Sequence, residues 1–341
     1  VKKNVILLVM DTARAAEAAQ VASSADIQDS AMKQLQHTGS TYSNAYATAP
    51  WTLPSHASLF TGTYPSTHGA YAKDRQLRSN LRTIPQSSQN VGYNTAIFTN
   101  NPWVTETFGF SRGVDSIFKI WKLIQGGADF GEISAGETGY DKILKGASAF
   151  VEKNPVVNVI NGLYGKFGYR RNDYGAKRTN KLAKEWIKNQ PSDEPFFLFA
   201  NYLEPHLEYR PPENIAKQYL PSEISYDQAM DINQDAYKYI ANKVEMTDHE
   251  LEILRRLHLA EISYLDNILS NFLGFLESRG DLEDSVIILC GDHGDNIGEQ
   301  GLMDHQYSLS NALLHVPLMI AGGDFDRSST KKKDVQLCDI Y

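Results

Sequence analysis

Cysteine is scarce: among 341 residues there are two, Cys290 and Cys338. Two thiols cannot build a disulfide framework or a cysteine-rich metal site, and Cys290 sits inside an apolar run where a buried thiol is the simple reading. Long apolar stretches are lacking too. The run near the N-terminus, Val5 to Met10, falls far short of the roughly 20 residues of a spanning helix. It is also too short for the apolar part of a signal segment. No membrane span is expected, and a cytoplasmic, reducing location follows as the expectation. A basic excess is missing: 33 Lys and Arg stand against 41 Asp and Glu, a formal charge of −8. That balance excludes nucleic acid as a general partner, since phosphate backbones call for a basic footprint. No Gly-x-Gly-x-x-Gly follows the first apolar run, which argues against a dinucleotide site.

What remains is an ordinary globular composition, with 42% apolar and 22% charged residues. Residues 1–341 are expected to form a single α/β domain. Val5-Ile-Leu-Leu-Val-Met10 is a continuous β-prone run of the kind buried on both faces of a parallel sheet. Thr95-Ala-Ile-Phe-Thr99, Phe196-Phe-Leu-Phe-Ala200 and Val286-Ile-Ile-Leu-Cys290 share its character. Val316-Pro-Leu-Met-Ile-Ala321 carries a proline that predicts an edge strand or a strand start. Helical patterns cover residues 176–189 and, as a long interrupted amphipathic stretch, 250–279. Alternating strands and helices predict a doubly wound fold, a mostly parallel central sheet with helices on both faces. Ligands in such folds bind beyond the carboxyl ends of the strands. Residues 120–172 break the alternation and read as an insertion; residues 328–333 read as a loop.

Three segments carry chemistry. Asp292-His293-Gly294-Asp295 follows a strand directly, and an Asp–His pair there can give one oxygen and one nitrogen to a divalent metal; a solvated turn is the plain alternative. Asp11 also ends a strand, as a metal ligand or as a helix cap. In Pro50-Trp-Thr-Leu-Pro-Ser-His-Ala-Ser-Leu-Phe-Thr-Gly62, Pro54 suits a first helical turn and Gly62 a helix end. Thr52 then lies at the helix N-terminus, where free N–H groups and the dipole favour an anion. It can cap that helix, or serve as a nucleophile if a metal favours its alkoxide.

In order and spacing these segments resemble the sulfatase family of the alkaline phosphatase superfamily. Asn4-Val-Ile-Leu-Leu-Val-Met-Asp11 resembles its first strand and metal aspartate, and Ser43-Asn-Ala-Tyr-Ala47 with residues 51–62 its nucleophile segment. Glu204-Pro-His206, with Tyr209 and Pro211-Pro212, resembles its middle histidine loop. Gly291-Asp-His-Gly294, Gly298-Glu-Gln-Gly301 and His315-Val-Pro317 resemble its last metal strand and the strand after it. The resemblance implies an alkaline-phosphatase-like sandwich in which Asp11, Thr52, Asp292 and His293 hold one divalent ion, Mn, Mg, Ca or Zn. It also implies that the family's C-terminal subdomain is absent here.

Departures shape the expected chemistry. Family sulfatases carry Cys-x-Pro-x-Arg, whose cysteine becomes formylglycine; here Thr52-Leu53-Pro54-Ser55-His56 stands in that place, and threonine cannot be so converted. The paired aspartates of the first strand read Asp11-Thr12. Thr99-Asn100-Asn101-Pro102 replaces a Gly-Lys-Trp-His segment, which makes Asn100 the candidate neutral donor to substrate. His56 takes the family arginine's place, either contacting substrate and orienting Thr52 or packing on its helix. His206 and His305 are the candidate groups that bind equatorial oxygens or protonate the leaving group. The expected activity is metal-dependent hydrolysis of sulfate or phosphate esters through Thr52, on a small-molecule, glycan or lipid-head-group ester. The alternatives are a phosphodiesterase or phosphonate monoester hydrolase, a phospho-group transferase, and a catalytically inactive binding module that keeps the fold.

Overall fold

The computed structural model describes residues 2–24, 29–129, 154–167, 173–325 and 328–341. Its strands are β1 (Asn4–Met10), β2 (Gly39–Tyr46), β3 (Asn94–Thr99), β4 (Ser116–Lys119), β5 (Phe196–Tyr202), β6 (Ser285–Gly291), β7 (Asn296–Ile297), β8 (Met303–Asp304), β9 (Leu318–Ala321) and β10 (Ser329–Gln336). Helices of eight or more described residues are α1 (Ala15–Ser23), α2 (Ala31–Thr38), α3 (Thr52–Thr61), α4 (Pro155–Phe167), α5 (Ala176–Lys188) and α6 (Asp248–Arg279).

Eight strands form one sheet in the order β10-β2-β9-β6-β1-β5-β3-β4, with β7 and β8 as a separate small ribbon. Within it β9 alone runs antiparallel to its neighbours β2 and β6. Strand parity then divides the core. Ile6, Leu8 and Met10 of β1, with Leu198 and Ala200 of β5, meet α1, α2, α5 and α6 on one face. Leu7 and Val9, with Phe197 and Phe199, meet Leu53, Ala57 and Phe60 of α3 on the other. Both faces are covered, so the central strands can be continuously apolar. This is the expected doubly wound arrangement.

Three local expectations change. Of residues 316–321, Leu318–Ala321 form β9, which starts directly after Pro317 as one of the two alternatives expects, while the other, an edge position, does not hold: β9 is interior, between β2 and β6. Pro317 joins the ladder only as an acceptor, from the Gly291 N–H at 3.1 Å, so its missing N–H does not force the strand to an edge. Of the residues expected as a loop at 328–333, all but Ser328 belong to β10, an edge strand pairing in parallel with β2. Its Lys331, Lys332 and Lys333 are the charges that protect an exposed edge. The helix at 250–279 is continuous over Asp248–Arg279, opened by a Thr247–Glu250 capping box and closed by Gly280 in the left-handed region. Of the expected insertion at 120–172, residues 130–153 and 168–172 lie outside the described residues.

Candidate functional site

Because β1, β3, β5 and β6 run in parallel, their carboxyl ends share one side of the sheet. Asp11 follows β1, Asn100 and Asn101 follow β3, His206 lies in the loop after β5, and Asp292 and His293 follow β6. α3 points its first residue at this edge. Its N-cap is Trp51, with no side-chain cap hydrogen bond, and Gly62 closes it in the left-handed region. Thr52 is thus the first helical residue, and its hydroxyl is not used as a cap. Oγ1 instead lies 3.4 Å from His293 Nε2 and 3.3 Å from Asn101 Nδ2.

Asp11, Asp292 and His293 each offer an atom within 4.8 Å of the other two. All three side chains are fully buried. His293 Nε2 is 3.3 Å from Asp292 Oδ2 and 3.7 Å from Asp11 Oδ1. Those two carboxylate oxygens have no hydrogen-bond partner. Their companions are well held. Asp292 Oδ1 accepts from the backbone N–H of Thr12 at 3.1 Å and of His293 at 2.8 Å. Asp11 Oδ2 accepts from Asn101 Nδ2 at 2.7 Å. Thr12 sits at φ 61°, costly for a β-branched residue, and that turn aims its N–H at Asp292.

The electrostatics follow from burial. Desolvation, then the neighbouring charge of Asp292, raises Asp11 to about 6. Desolvation raises Asp292 to about 7 against its two backbone hydrogen bonds. Desolvation also lowers His293 to about 4, so its imidazole is neutral and free to ligate. Two buried carboxylates aiming bare oxygens at a neutral imidazole nitrogen fit a divalent cation. Orphaned buried acceptors of this kind are rare without such a reason. His293 Nδ1 faces the Gly294 carbonyl at 2.9 Å, which leaves Nε2 for the site.

A second cluster lies beside the first. The His305 ring is 4.6 Å from the His293 ring and 5.2 Å from that of His206. His305 Nδ1 is 2.5 Å from Asp304 Oδ1 and 3.6 Å from Asp295 Oδ1. Burial opposes its charge, but Asp295 and Asp304 prevail and raise His305 to about 10. Tyr209, fully buried, donates to Asp295 Oδ2 at 2.6 Å. The two carboxylates thus favour the protonated imidazole.

Not every expected residue faces the site. Asn100 Nδ2 donates to Thr179 Oγ1 at 3.2 Å, at the start of α5, whereas its neighbour Asn101 bridges Asp11 and Thr52. His56 is fully buried beneath the constellation. Its Nδ1 lies 3.0 Å from the Thr52 carbonyl and 3.4 Å from Asp292 Oδ2, and its ring packs edge-on against Phe199. Desolvation lowers it to about 3. The structure thus places His56 between Thr52, Asp292 and Phe199. Asp295 and Asp304, given no role from the sequence, stand against His305, and Tyr209 holds Asp295 in turn.

A family model described as Sulfatase matches residues 3–341. This chain belongs to the sulfatase family. Among its curated relatives are a sulfatase of Formosa agariphila, 23% identical over all of this chain and 68% of that protein, and the choline-sulfatase of Rhizobium meliloti, 23% identical over 85% and 57%. Human iduronate 2-sulfatase is 25% identical over 82% of this chain and 52% of its own length. The chain thus spans about half to two thirds of the length of these relatives. Among solved structures, the phosphonate monoester hydrolase of Agrobacterium radiobacter superposes with a TM-score of 0.68 at 16% identity, over 99% of this chain and 72% of that one. A protein solved with its substrate D-glucosamine-2-N,6-O-disulfate gives the same TM-score at 16% identity, over 100% and 75%. The sandwich of this sulfatase-family chain is the one these structures share. Among the described residues, no helix is long and apolar enough to cross a membrane.

Proposed function

We propose that this sulfatase-family chain hydrolyses sulfate or phosphate esters, with Thr52 as nucleophile and Asp11, Thr52, Asp292 and His293 as the holders of one divalent cation, Mn, Mg, Ca or Zn. One observation carries the reading. The Thr52 hydroxyl is released from capping and stands within 3.4 Å of His293 Nε2, beside two carboxylates with bare oxygens. When bound, the cation favours ionisation of that hydroxyl and offsets negative charge on the ester oxygens.

The chain's own groups do the rest. Thr52 Oγ1 bonds to sulfur or phosphorus in line with the departing alcohol. Asn101 Nδ2 holds Thr52 and Asp11 together and so fixes the direction of attack. His305, kept protonated by Asp295 and Asp304, donates to the leaving or equatorial oxygens, with His206 beside it. Water then cleaves the threonyl ester, because the formylglycine route is closed to threonine. The substrate is a small-molecule, glycan or lipid-head-group ester, and the free Cys290 and Cys338 fit a reducing, cytoplasmic compartment.

A second reading, phosphodiesterase or phosphonate monoester hydrolase, is favoured by the threonine hydroxyl and by the Asp292–His293 pair. An inactive binding module has no use for a desolvated carboxylate pair that costs stability. The test is a panel of aryl sulfate, phosphate monoester, phosphodiester and phosphonate substrates with each of the four metals, run on the wild type, Thr52→Ala and Thr52→Ser. Loss on the order of 10⁴-fold is expected in Thr52→Ala, with partial activity in Thr52→Ser. Undiminished turnover in Thr52→Ala would refute the threonine mechanism, and the preferred ester would decide between the two readings.

A further inference from the structure

α4 is inside out. From Pro155 to Gly165 it holds no charged residue. Successive side chains turn by about 100° around a helix, so Asn158 and Asn161 share one face and Val156, Val159 and Leu163 the opposite one. The asparagine face is the buried one. Asn158 Oδ1 accepts from the backbone N–H of Ala128 at 2.7 Å. Asn161 accepts from the N–H of Ile124 at 2.9 Å and donates back to its carbonyl at 3.0 Å. The aliphatic face points to water: with Leu123 and Ile124 of the adjoining loop, its exposures run from 41% to 68%. A helix that serves only the fold would bury this face instead; several exposed aliphatics on one helix and its neighbouring loop mark an interaction surface.

The border of the patch is basic, in a chain of net charge −8. Arg178 joins the two regions. Its guanidinium lies 5.2 Å from the Tyr164 ring, and it donates to the carbonyls of Lys122 and Leu123 at 2.8 and 2.9 Å. Lys177 and Lys181 follow along α5 and both are exposed, Lys177 Nζ 5.6 Å from the Tyr264 ring of α6 and Lys181 Nζ 4.0 Å from Glu185 Oε1. The location is also informative. The loop bearing Leu123 and Ile124 leaves the carboxyl end of β4, which is parallel to β3. α5 begins at the same edge: a Cβ on Gly175 would come within 2.9 Å of Asn100 Oδ1.

We infer that Val156, Val159, Leu163, Leu123 and Ile124, bordered by Lys177 and Lys181, form a docking surface for an anionic membrane. Aliphatic side chains beside a cationic rim are the requirements for shallow insertion among anionic headgroups. A patch of five aliphatic residues is small against the roughly 800 Å² per partner of a standard protein interface, whereas a bilayer needs no shaped counterpart. Resting on the ester-hydrolase reading, the favoured substrate class becomes an amphiphile whose esterified headgroup stands at the bilayer surface, on the side of the sheet where Thr52 lies.

The full chain is sedimented with phosphatidylcholine vesicles and with mixed phosphatidylcholine–phosphatidylglycerol vesicles. Binding is expected to the mixed vesicles only, and to weaken as salt rises. Leu163→Asp with Val159→Asp, and separately Lys177→Glu with Lys181→Glu, should each cut partitioning by about tenfold or more. Both pairs lie on the surface, and turnover of a soluble aryl ester should be unchanged. No binding by the wild type to mixed vesicles overturns the inference, as does binding that survives either pair. A dimer in analytical ultracentrifugation that Leu163→Asp dissociates overturns it in favour of a second copy. Failure of all ester turnover would overturn the ester-hydrolase reading alone, because vesicle binding is measured without turnover.

Discussion

Two clusters of the same residue types, two aspartates and one histidine, lie side by side at the carboxyl edge of the sheet. Their charge states are opposite. In Asp11, Asp292 and His293, burial pushes the carboxylates up to about 6 and about 7 and the imidazole down to about 4. In Asp295, Asp304 and His305, the imidazole rises to about 10. The difference lies in which atoms meet. His305 Nδ1 contacts Asp304 Oδ1 closely, and Tyr209 takes the far oxygen of Asp295. In the first cluster Nε2 faces two bare oxygens across gaps of 3.3 and 3.7 Å. Asp295 Oδ1 also lacks a hydrogen-bond partner, so what separates the clusters is the charge that their surroundings favour on the imidazole, neutral in one and protonated in the other.

The largest effect that separates them is in cation binding. Calorimetric titration should find one divalent ion per chain, with affinity lost in Asp292→Asn and kept in Asp304→Asn. Turnover of the best ester should fall on the order of 10³-fold in Asp292→Asn. Two ions per chain, or equal losses in both variants, would erase the distinction. The next effect is on stability. His305→Gln removes the imidazole that faces Asp295 and Asp304, and urea unfolding should show a loss of about 3 kcal/mol, since breaking a buried pair strands its partner. Turnover should fall about 10²-fold with it. A neutral His305→Gln would mean that no ion pair holds this cluster. Asn101→Ala comes third. It removes one side-chain donor to Thr52 and Asp11, and should lower kcat about tenfold, with cation affinity nearly intact. An unchanged kcat would reduce Asn101 to packing.

How much of this is legible in the sequence depends on apolar runs. β1, β3, β5 and β6 are continuous and buried on both faces, so their ends, and hence Asp11, Asp292 and His293, stand out. β2 reads Gly-Ser-Thr-Tyr-Ser-Asn-Ala-Tyr and β10 reads Ser-Thr-Lys-Lys-Lys-Asp-Val-Gln. Both lie at the β10 side of the sheet, where half-exposed residues need not be apolar, so the pattern is lost. The choice between Asn100 and Asn101 is not written in residue type either. The turn decides it: Thr99 Oγ1 accepts from the Asn101 N–H at 3.2 Å, and Asn101 Oδ1 accepts from the Trp103 N–H at 3.0 Å. Those bonds swing Asn101 towards Thr52 and leave Asn100 to α5. The charge state of His305 is equally hidden, because Asp295 and Asp304 meet it only where the antiparallel pairing of Asn296 with Asp304 brings the two strands of the β7–β8 ribbon together.

The smallest effect is a change of slope with pH, and it tests the first cluster without substrate. Asp11 and Asp292 have folded values raised from an ordinary 3.8 to about 6 and about 7. The folded chain therefore binds protons there more tightly than the unfolded chain. The stability this adds is full below about pH 4 and is lost as pH climbs through the two raised values. His293 and His56 are lowered and act in the other direction, losing stability as pH falls below their ordinary 6.5. Comparing the metal-free wild type with metal-free Asp292→Asn cancels much of the histidine part. The variant should gain in Tm relative to the wild type as pH rises from 5 to 8, by a few degrees. Adding the cation should reverse that order, because only the wild type then holds it. Parallel Tm curves with no reversal would mean that the two carboxylates do not face each other unneutralised, and the contrast between the clusters would lose its physical cause.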